Sequence, residues 1–303
     1  MLSREKAAHD LTLTTDDSRL TTGIGLAVLA VLLFSTSSVF IRLAAPISPY
    51  EITFWRMVVA AGTAGLGLAL FGHKAKLPRE RRYILYGLVA ALHFLLFVTA
   101  VTYTSIAHAL AITYLAPVFI AVASWRFLGE RLTSRQVAGG VIALAGIAIL
   151  VGFEPRLSRR MLLGDALALL SAACYAAYSL AGRLERVRQG LLPYATTVYG
   201  LAAVWLIPAF VAGFVQGAGA GAYNSKTVLA LLGAGILPLG LGHTLYNASL
   251  RRIPATYANL IASQEVTGGV LLGVALLSEV PSANSIAGAA VAIAGIVLVL
   301  LDA

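Results

Sequence analysis

Apolar residues in this chain come in long unbroken runs. They do not follow the one-face rhythm of a water-soluble helix or the alternation of a half-buried strand. Ten runs can be cut, at roughly 22–43, 50–71, 83–103, 106–127, 134–152, 162–182, 194–215, 228–248, 255–277 and 282–302. Each is near twenty residues, and at about 1.5 Å of rise per residue each crosses a hydrocarbon core of about 30 Å. Barrel strands would be shorter and would alternate in polarity, so the pattern predicts an all-α membrane protein of ten transmembrane helices. The polar stretches between runs are short and leave little chain for a soluble domain. Residues 1–21 are polar and lack the order of a signal peptide, and they read as a cytoplasmic tail.

The pattern repeats. Shifted by 149 positions, Leu128 falls on Leu277, Glu130 on Glu279, Gly139 on Gly288, Ala143 on Ala292 and Gly146 on Gly295, among eight identities in twenty columns. Shared composition explains matches of Ala and Leu but does not readily align a Glu and two Gly. The chain therefore divides into 22–152 and 162–302, joined by a linker at 153–161. Each half has five spans, an odd number, so the second half runs opposite to the first. Inverted repeats of this kind recur in secondary transporters, with the substrate site near mid-membrane between the halves.

Composition sharpens this picture. Of 303 residues 59% are hydrophobic and 12% charged, against roughly 25% charged in soluble chains. The lone Cys174 excludes an intrachain disulfide and any cysteine metal cluster. The net charge of +9 points to basic loops, not to nucleic acid. With the N-terminus inside, sixteen Lys and Arg face inward and five outward, with Arg56 left inside the second run. That bias puts both termini in the cytoplasm.

The chemistry sits in polar residues deep within apolar runs, where contact with lipid is costly. The first run carries Ser35, Thr36, Ser37 and Ser38; the third carries His93; the fourth His108, Thr113 and Tyr114. Ser171, Tyr175 and Tyr178 share one face of the sixth, and His243, Tyr246 and Asn247 one face of the eighth. In the ninth, Thr256, Asn259, Ser263 and Thr267 form a stripe, with Gln264 beside it. Hydroxyl, amide and aromatic groups with little fixed charge suit a zwitterion or neutral metabolite; they also suit plain helix-to-helix bonding. Glu265 is the one acid deep in a span, about 180° around the helix from Thr256. Two readings of it stand: a proton or substrate-ammonium site, or an interhelical hydrogen bond. The histidines either relay protons or serve as hydrogen-bonding core residues. Glu51 and Arg56 are expected to pair locally or reach the headgroups.

Gly139, Ala143 and Gly146, like Gly288, Ala292 and Gly295, make small-residue faces through which helix backbones touch. Thr133 and Gln136 have capping-box spacing, and Glu130 and Glu279 read as structural. There is no Walker-type phosphate loop, no Gly-x-Ser-x-Gly elbow and no metal-ligand spacing. The reading is therefore a non-enzyme without cofactor, handling a small molecule in a lipid bilayer; monomer and homodimer both remain open.

The chain resembles the drug/metabolite transporter superfamily, in its EamA-type ten-helix branch. The resemblance rests on Ser48-Pro49 through Arg56, Tyr103-Thr104-Ser105 leading to Leu115-Ala116-Pro117, Leu128-Gly129-Glu130-Arg131-Leu132, Gly164-Asp165, Arg252-Ile253-Pro254-Ala255 and Ser278-Glu279. It departs from the family in Phe34-Ser35-Thr36-Ser37-Ser38, where a Trp-Gly-Ser/Thr-Asn pattern is common, and in Glu265-Val266, where Glu-Pro is common. The second departure predicts a ninth helix less kinked than the fourth, which keeps Pro117. The resemblance implies export of amino acids or related metabolites across a bacterial inner membrane. It places helices 1, 3, 4, 6, 8 and 9 around a central cavity, with helices 5 and 10 as scaffold. The alternatives are a multidrug or quaternary-cation extruder and a non-transporting sensor or scaffold. The four-helix multidrug relatives use an acid in helix 1, and this helix 1 has none.

Overall fold

The computed structural model describes residues 2–71, 77–128, 132–155, 157–185, 188–217, 219–249, 252–253, 258 and 261–301. Those residues form a helical bundle. In chain order the helices are α1 (Leu2–Ser35), α2 (Ser37–Leu43), α3 (Pro49–Phe71), α4 (Arg82–Tyr103), α5 (Ile106–Thr113), α6 (Ala116–Leu128) and α7 (Ser134–Gly152). They continue with α8 (Arg159–Glu185), α9 (Leu191–Gln216), α10 (Ser225–Ala234), a π-helical stretch (Gly235–Gly242), α11 (His243–Ser249), α12 (Glu265–Leu277) and α13 (Ala283–Leu300). Among the described residues nine helical stretches are long and apolar enough to cross a membrane, and α12 is a shorter apolar helix. The polar N-terminal stretch, expected as a tail, is helical from Leu2 and runs straight into the first span.

The bundle turns many large apolar side chains outward. Leu66, Val141, Leu144, Leu170, Val204, Val215 and Leu271 are all exposed. In water such a surface would associate; in a bilayer it is the lipid contact. The interior is filled by small residues and aromatics, including Ala60, Ala90, Ala202, Tyr83 and Tyr199.

The strongest packing runs between the first and second halves of the chain: α7 on α13, α3 on α9 and α4 on α8. The α7–α13 contact uses the glycine faces read from the sequence. A Cβ at Gly146 would strike the Ala292 backbone and the Gly288 carbonyl. One at Gly295 would strike Ala143 and the Gly139 carbonyl. Side chains here would push the two backbones apart, and the dispersion contacts that hold helices together in lipid would be lost. The capping box at the start of α7 is present in full, with Thr133 and Gln136 each bonding the other's backbone N–H at 3.1 Å. Glu130 lies outside the described residues. Glu279 is structural as expected: it accepts the Ile106 N–H at 2.6 Å at the start of α5 and pairs with Arg42 at 3.2 Å.

Candidate functional site

Four apolar runs are not continuous α-helices. The first breaks at Thr36, between α1 and α2, where hydroxyls compete for the backbone: Ser35 Oγ donates to the Val31 carbonyl at 2.8 Å and Thr36 Oγ1 to the Leu33 carbonyl at 2.6 Å. The fourth breaks at Tyr114–Leu115, between α5 and α6. Pro117 has no N–H to give the Thr113 carbonyl, so the chain ends one helix and starts another with Pro117 in its first turn. In the eighth run the π-helical stretch contains Pro238, and wide turns of this sort collect at functional sites.

The ninth run corrects an expectation. Although Val266 replaces the family's proline, the helix is interrupted at Ser263–Gln264, where i→i+3 bonds from Gln264 N to Ile261 O (3.0 Å) and from Val266 N to Ser263 O (3.2 Å) tighten the turn. Glu265 then opens α12, a position whose unpaired N–H groups favour an acid.

These interruptions meet. Tyr114, at the break in the fourth run, donates its hydroxyl to Glu265 Oε2 at 2.6 Å, at the break in the ninth. Ser35, at the break in the first, packs on Gly268, and Leu110 packs on Gly269. Glycine at both places lets α12 close on its neighbours.

Beside this knot lies a continuous aromatic cluster. His93 sits 4.9 Å, centroid to centroid, from Tyr175, which is 6.2 Å from Tyr178. Phe94 joins His93 at 4.6 Å and His243 at 6.0 Å, and Phe34 joins His243 at 4.7 Å and Tyr246 at 6.1 Å. His93, Tyr114, Tyr175, Tyr178, His243, Tyr246 and Glu265, drawn from five runs, are thus brought into one region.

The other expected residues are placed differently. The Ser171 hydroxyl donates to the His93 carbonyl at 3.0 Å, and His93 Nδ1 lies 2.9 Å from that hydroxyl, so the pair ties α8 to α4. Asn247 Nδ2 donates back to the His243 carbonyl at 2.7 Å. Ser35 is spent on its own helix, Ser263 is buried, and Gln264 is exposed. Ser38 is buried with a hydroxyl that meets no partner among the described residues. Asn259 and Thr256 lie outside the described residues.

Arg56 and Glu51 are neither paired together nor turned to headgroups. Glu51 is buried at one end of the bundle, accepting from the Ser48 hydroxyl at 2.6 Å and the Tyr223 hydroxyl at 2.7 Å. Arg56 is 2% exposed and points inward. One Nη2–H donates to the Ser37 hydroxyl at 2.9 Å, and the guanidinium lies over the Phe94 ring at 5.9 Å. It interacts electrostatically with Glu265, His93 and His243. The physical reason for the misplacement is the ladder of α3: counting from Pro49 sets Arg56 two turns in, and its partners lie on other helices.

A second polar cluster was not expected. His108 is fully buried; its Nδ1 lies 3.1 Å from both Asp165 oxygens, and its Nε2 lies 3.2 Å from Ser285 Oγ and 3.6 Å from Glu154 Oε2. Thr104 donates to Asp165 at 2.7 Å, and Ser282 and Ser285 donate to Glu154 at 2.6 and 2.8 Å. The cluster joins α5, α8, α13 and the segment after α7 near their ends. Asp165 stood in the sequence beside Gly164 as part of the family pattern; Glu154 offered no signal.

Broken spans that meet around polar and aromatic side chains are the architecture of a membrane carrier, and the comparisons agree. The EamA-like transporter family model matches residues 21–152 and 162–301, so the chain belongs to that family. It is 30% identical over 192 residues to a probable terminal-alkyne amino-acid exporter of Streptantibioticus cattleyicolor, covering 61% of each chain. It is 25% identical over 202 residues to an uncharacterised transporter, YxxF, of Bacillus subtilis, covering 65% of this chain and 62% of that one. The chain thus spans about three-fifths of the length of both relatives. An uncharacterised transporter of Archaeoglobus fulgidus is 25% identical over 257 residues, 84% of this chain and 89% of that protein. A solved structure superposes with a TM-score of 0.66 over 93% of this chain and 98% of its own, at 21% identity, which speaks for the fold alone. The chain is thus an EamA-like family member whose described residues include nine helical stretches long and apolar enough to cross a membrane.

Proposed function

We propose that this protein is a secondary transporter that exports amino acids or closely related small metabolites by alternating access. The carrying observation is the meeting of broken spans at Tyr114–Glu265, beside the aromatic cluster of His93, Phe94, Tyr175 and His243. Irregular backbone at membrane depth is tolerated where it is buried in protein or lines a cavity, and discontinuous helices recur at the binding sites of transporters. The ninth run completes ten spans, with its first part outside the described residues. The halves 22–152 and 162–302 are inverted five-helix repeats, with both termini on the cytoplasmic side of a bacterial inner membrane. The α7–α13 pair, locked through glycine, is the frame against which the broken spans move. The exporter name carried by the relative from Streptantibioticus cattleyicolor supports amino acids as cargo.

The test is counterflow in phosphatidylethanolamine/phosphatidylglycerol proteoliposomes with labelled amino acids, with and without a pH gradient. Exchange of an amino acid supports the reading; its absence with folded protein overturns it. A second reading, extrusion of quaternary cations, draws on Glu265 lying near aromatic faces, which attract cations. It predicts exchange of tetraalkylammonium probes in place of amino acids.

A further inference from the structure

The sequence pointed to Glu265 as a charged group deep in a span, and the structure adds a buried cation, Arg56. Arg56 is 2% exposed, and among the described residues its Nε and Nη1 meet no hydrogen-bond partner. A guanidinium held out of water with unused donors is costly, and proteins keep one where an anion completes it. Glu265 acts on it electrostatically as an opposite charge, but its Oε2 already accepts from Tyr114, and among the described residues no hydrogen bond joins it to Arg56.

The geometry of the guanidinium says what it is shaped to receive. Each of its two bidentate edges uses one hydrogen of Nη2, paired with Nε–H on one edge and with Nη1–H on the other. Ser37 occupies a single Nη2 hydrogen. Whichever hydrogen that is, the other edge keeps both of its N–H groups. A complete fork of two parallel N–H donors is the complement of a carboxylate. The Phe94 ring lies against the guanidinium on one side, which leaves the in-plane edge as the direction for a ligand.

We propose that Arg56 is the cargo's carboxylate anchor, so that the transported molecule must carry a carboxylate, and that Glu265, held by Tyr114, receives its ammonium group. This deepens the amino-acid reading above and rests on it. The two charges stand on different halves of the chain, one on α3 and one on α12, and a zwitterion bridges them. A cargo that is cationic only leaves the Arg56 fork empty and adds a like charge beside it, so decarboxylated amines and amino-acid amides bind more weakly.

The experiment needs no variant to be decisive. Labelled amino acid loaded against wild-type proteoliposomes is competed with the same amino acid, its amide and its decarboxylated amine. The expected result is competition by the amino acid alone, with the amide and amine weaker by about 10- to 100-fold, the scale of one charge-assisted hydrogen-bonded pair. Arg56→Gln is expected to lower affinity for the amino acid by the same factor, while leaving its affinity relative to the amide near one. Equal competition by amide and amine, in a protein that does exchange the amino acid, overturns the assignment of Arg56 and leaves the transport reading standing. Failure to exchange any amino acid overturns both.

Discussion

Two of the clusters of ionisable groups among the described residues, one around His108 and one around Arg56, are built differently. Around His108 both acids are fully engaged: Asp165 accepts from Thr104 and faces Nδ1, and Glu154 accepts from Ser282 and Ser285 and faces Nε2. Around Arg56 and Glu265 the network is incomplete, with two guanidinium nitrogens unused. A finished network fixes helices to one another, whereas an unfinished one holds free energy that a ligand can release. The first is a fastening near the helix ends; the second is the proposed site, beside the runs that lose their regular helix.

Removing His108 leaves two buried carboxylates without their shared partner. His108→Ala should destabilise the fold by about 1–3 kcal/mol, the cost of leaving buried polar groups without a hydrogen-bond partner. A falling melting temperature in detergent checks it, with the amino-acid Kd of the surviving folded protein unchanged. Arg56→Gln should do the reverse: weaken binding by about 10- to 100-fold, with a melting temperature equal to or above wild type because a costly buried charge is gone. Tyr114→Phe removes the hydroxyl that holds Glu265 and should cost about 1 kcal/mol of substrate affinity, read as a several-fold rise in half-saturating concentration.

The smallest effect lies outside the membrane-spanning segments. Burial first, then the hydrogen bond to Glu51, pushes the Tyr223 phenol up to about 12. The folded state therefore holds this proton where the unfolded state has lost it. The stabilisation is whole below the ordinary tyrosine range near 10 and fades as pH rises through about 12. Tyr223→Phe should flatten that alkaline slope in thermal melts and leave exchange unchanged.

Much of this was legible in the chain. Lipid demands long apolar runs, so span positions fall within a few residues of the helices, and a polar group inside such a run is conspicuous. That is why His93, Tyr114, Tyr175, Tyr178, His243, Tyr246 and Glu265 could be picked out before their packing was known. The breaks were legible only where proline marked them, as at Pro117. At Ser263–Gln264 a tightened turn does the same work without one. Glu265 beside it takes the hydroxyl of Tyr114, the interhelical hydrogen bond that was one of its two readings, while Thr256 lies outside the described residues. Arg56 and the His108 cluster escaped for a different reason. Their partners come from distant parts of the chain, as Asp165 lies 57 positions from His108 and Ser285 lies 177, and a spacing pattern carries no record of such pairings.

The glycine faces show the opposite case. Their spacing predicted close backbone contact, and Gly146 against Ala292 and Gly295 against Ala143 supply it. The proposed role of α7 and α13 as a frame draws on that contact, since helices joined backbone to backbone have no side-chain layer in which to slide.

The most direct test of the account measures two quantities on two variants: the melting temperature, and the Kd for the exchanged amino acid, of Arg56→Gln and His108→Ala in purified form. A crossed result is expected, with affinity lost and stability kept in Arg56→Gln, and stability lost and affinity kept in His108→Ala. Wild-type affinity in Arg56→Gln, or loss of binding without loss of stability in His108→Ala, would contradict it.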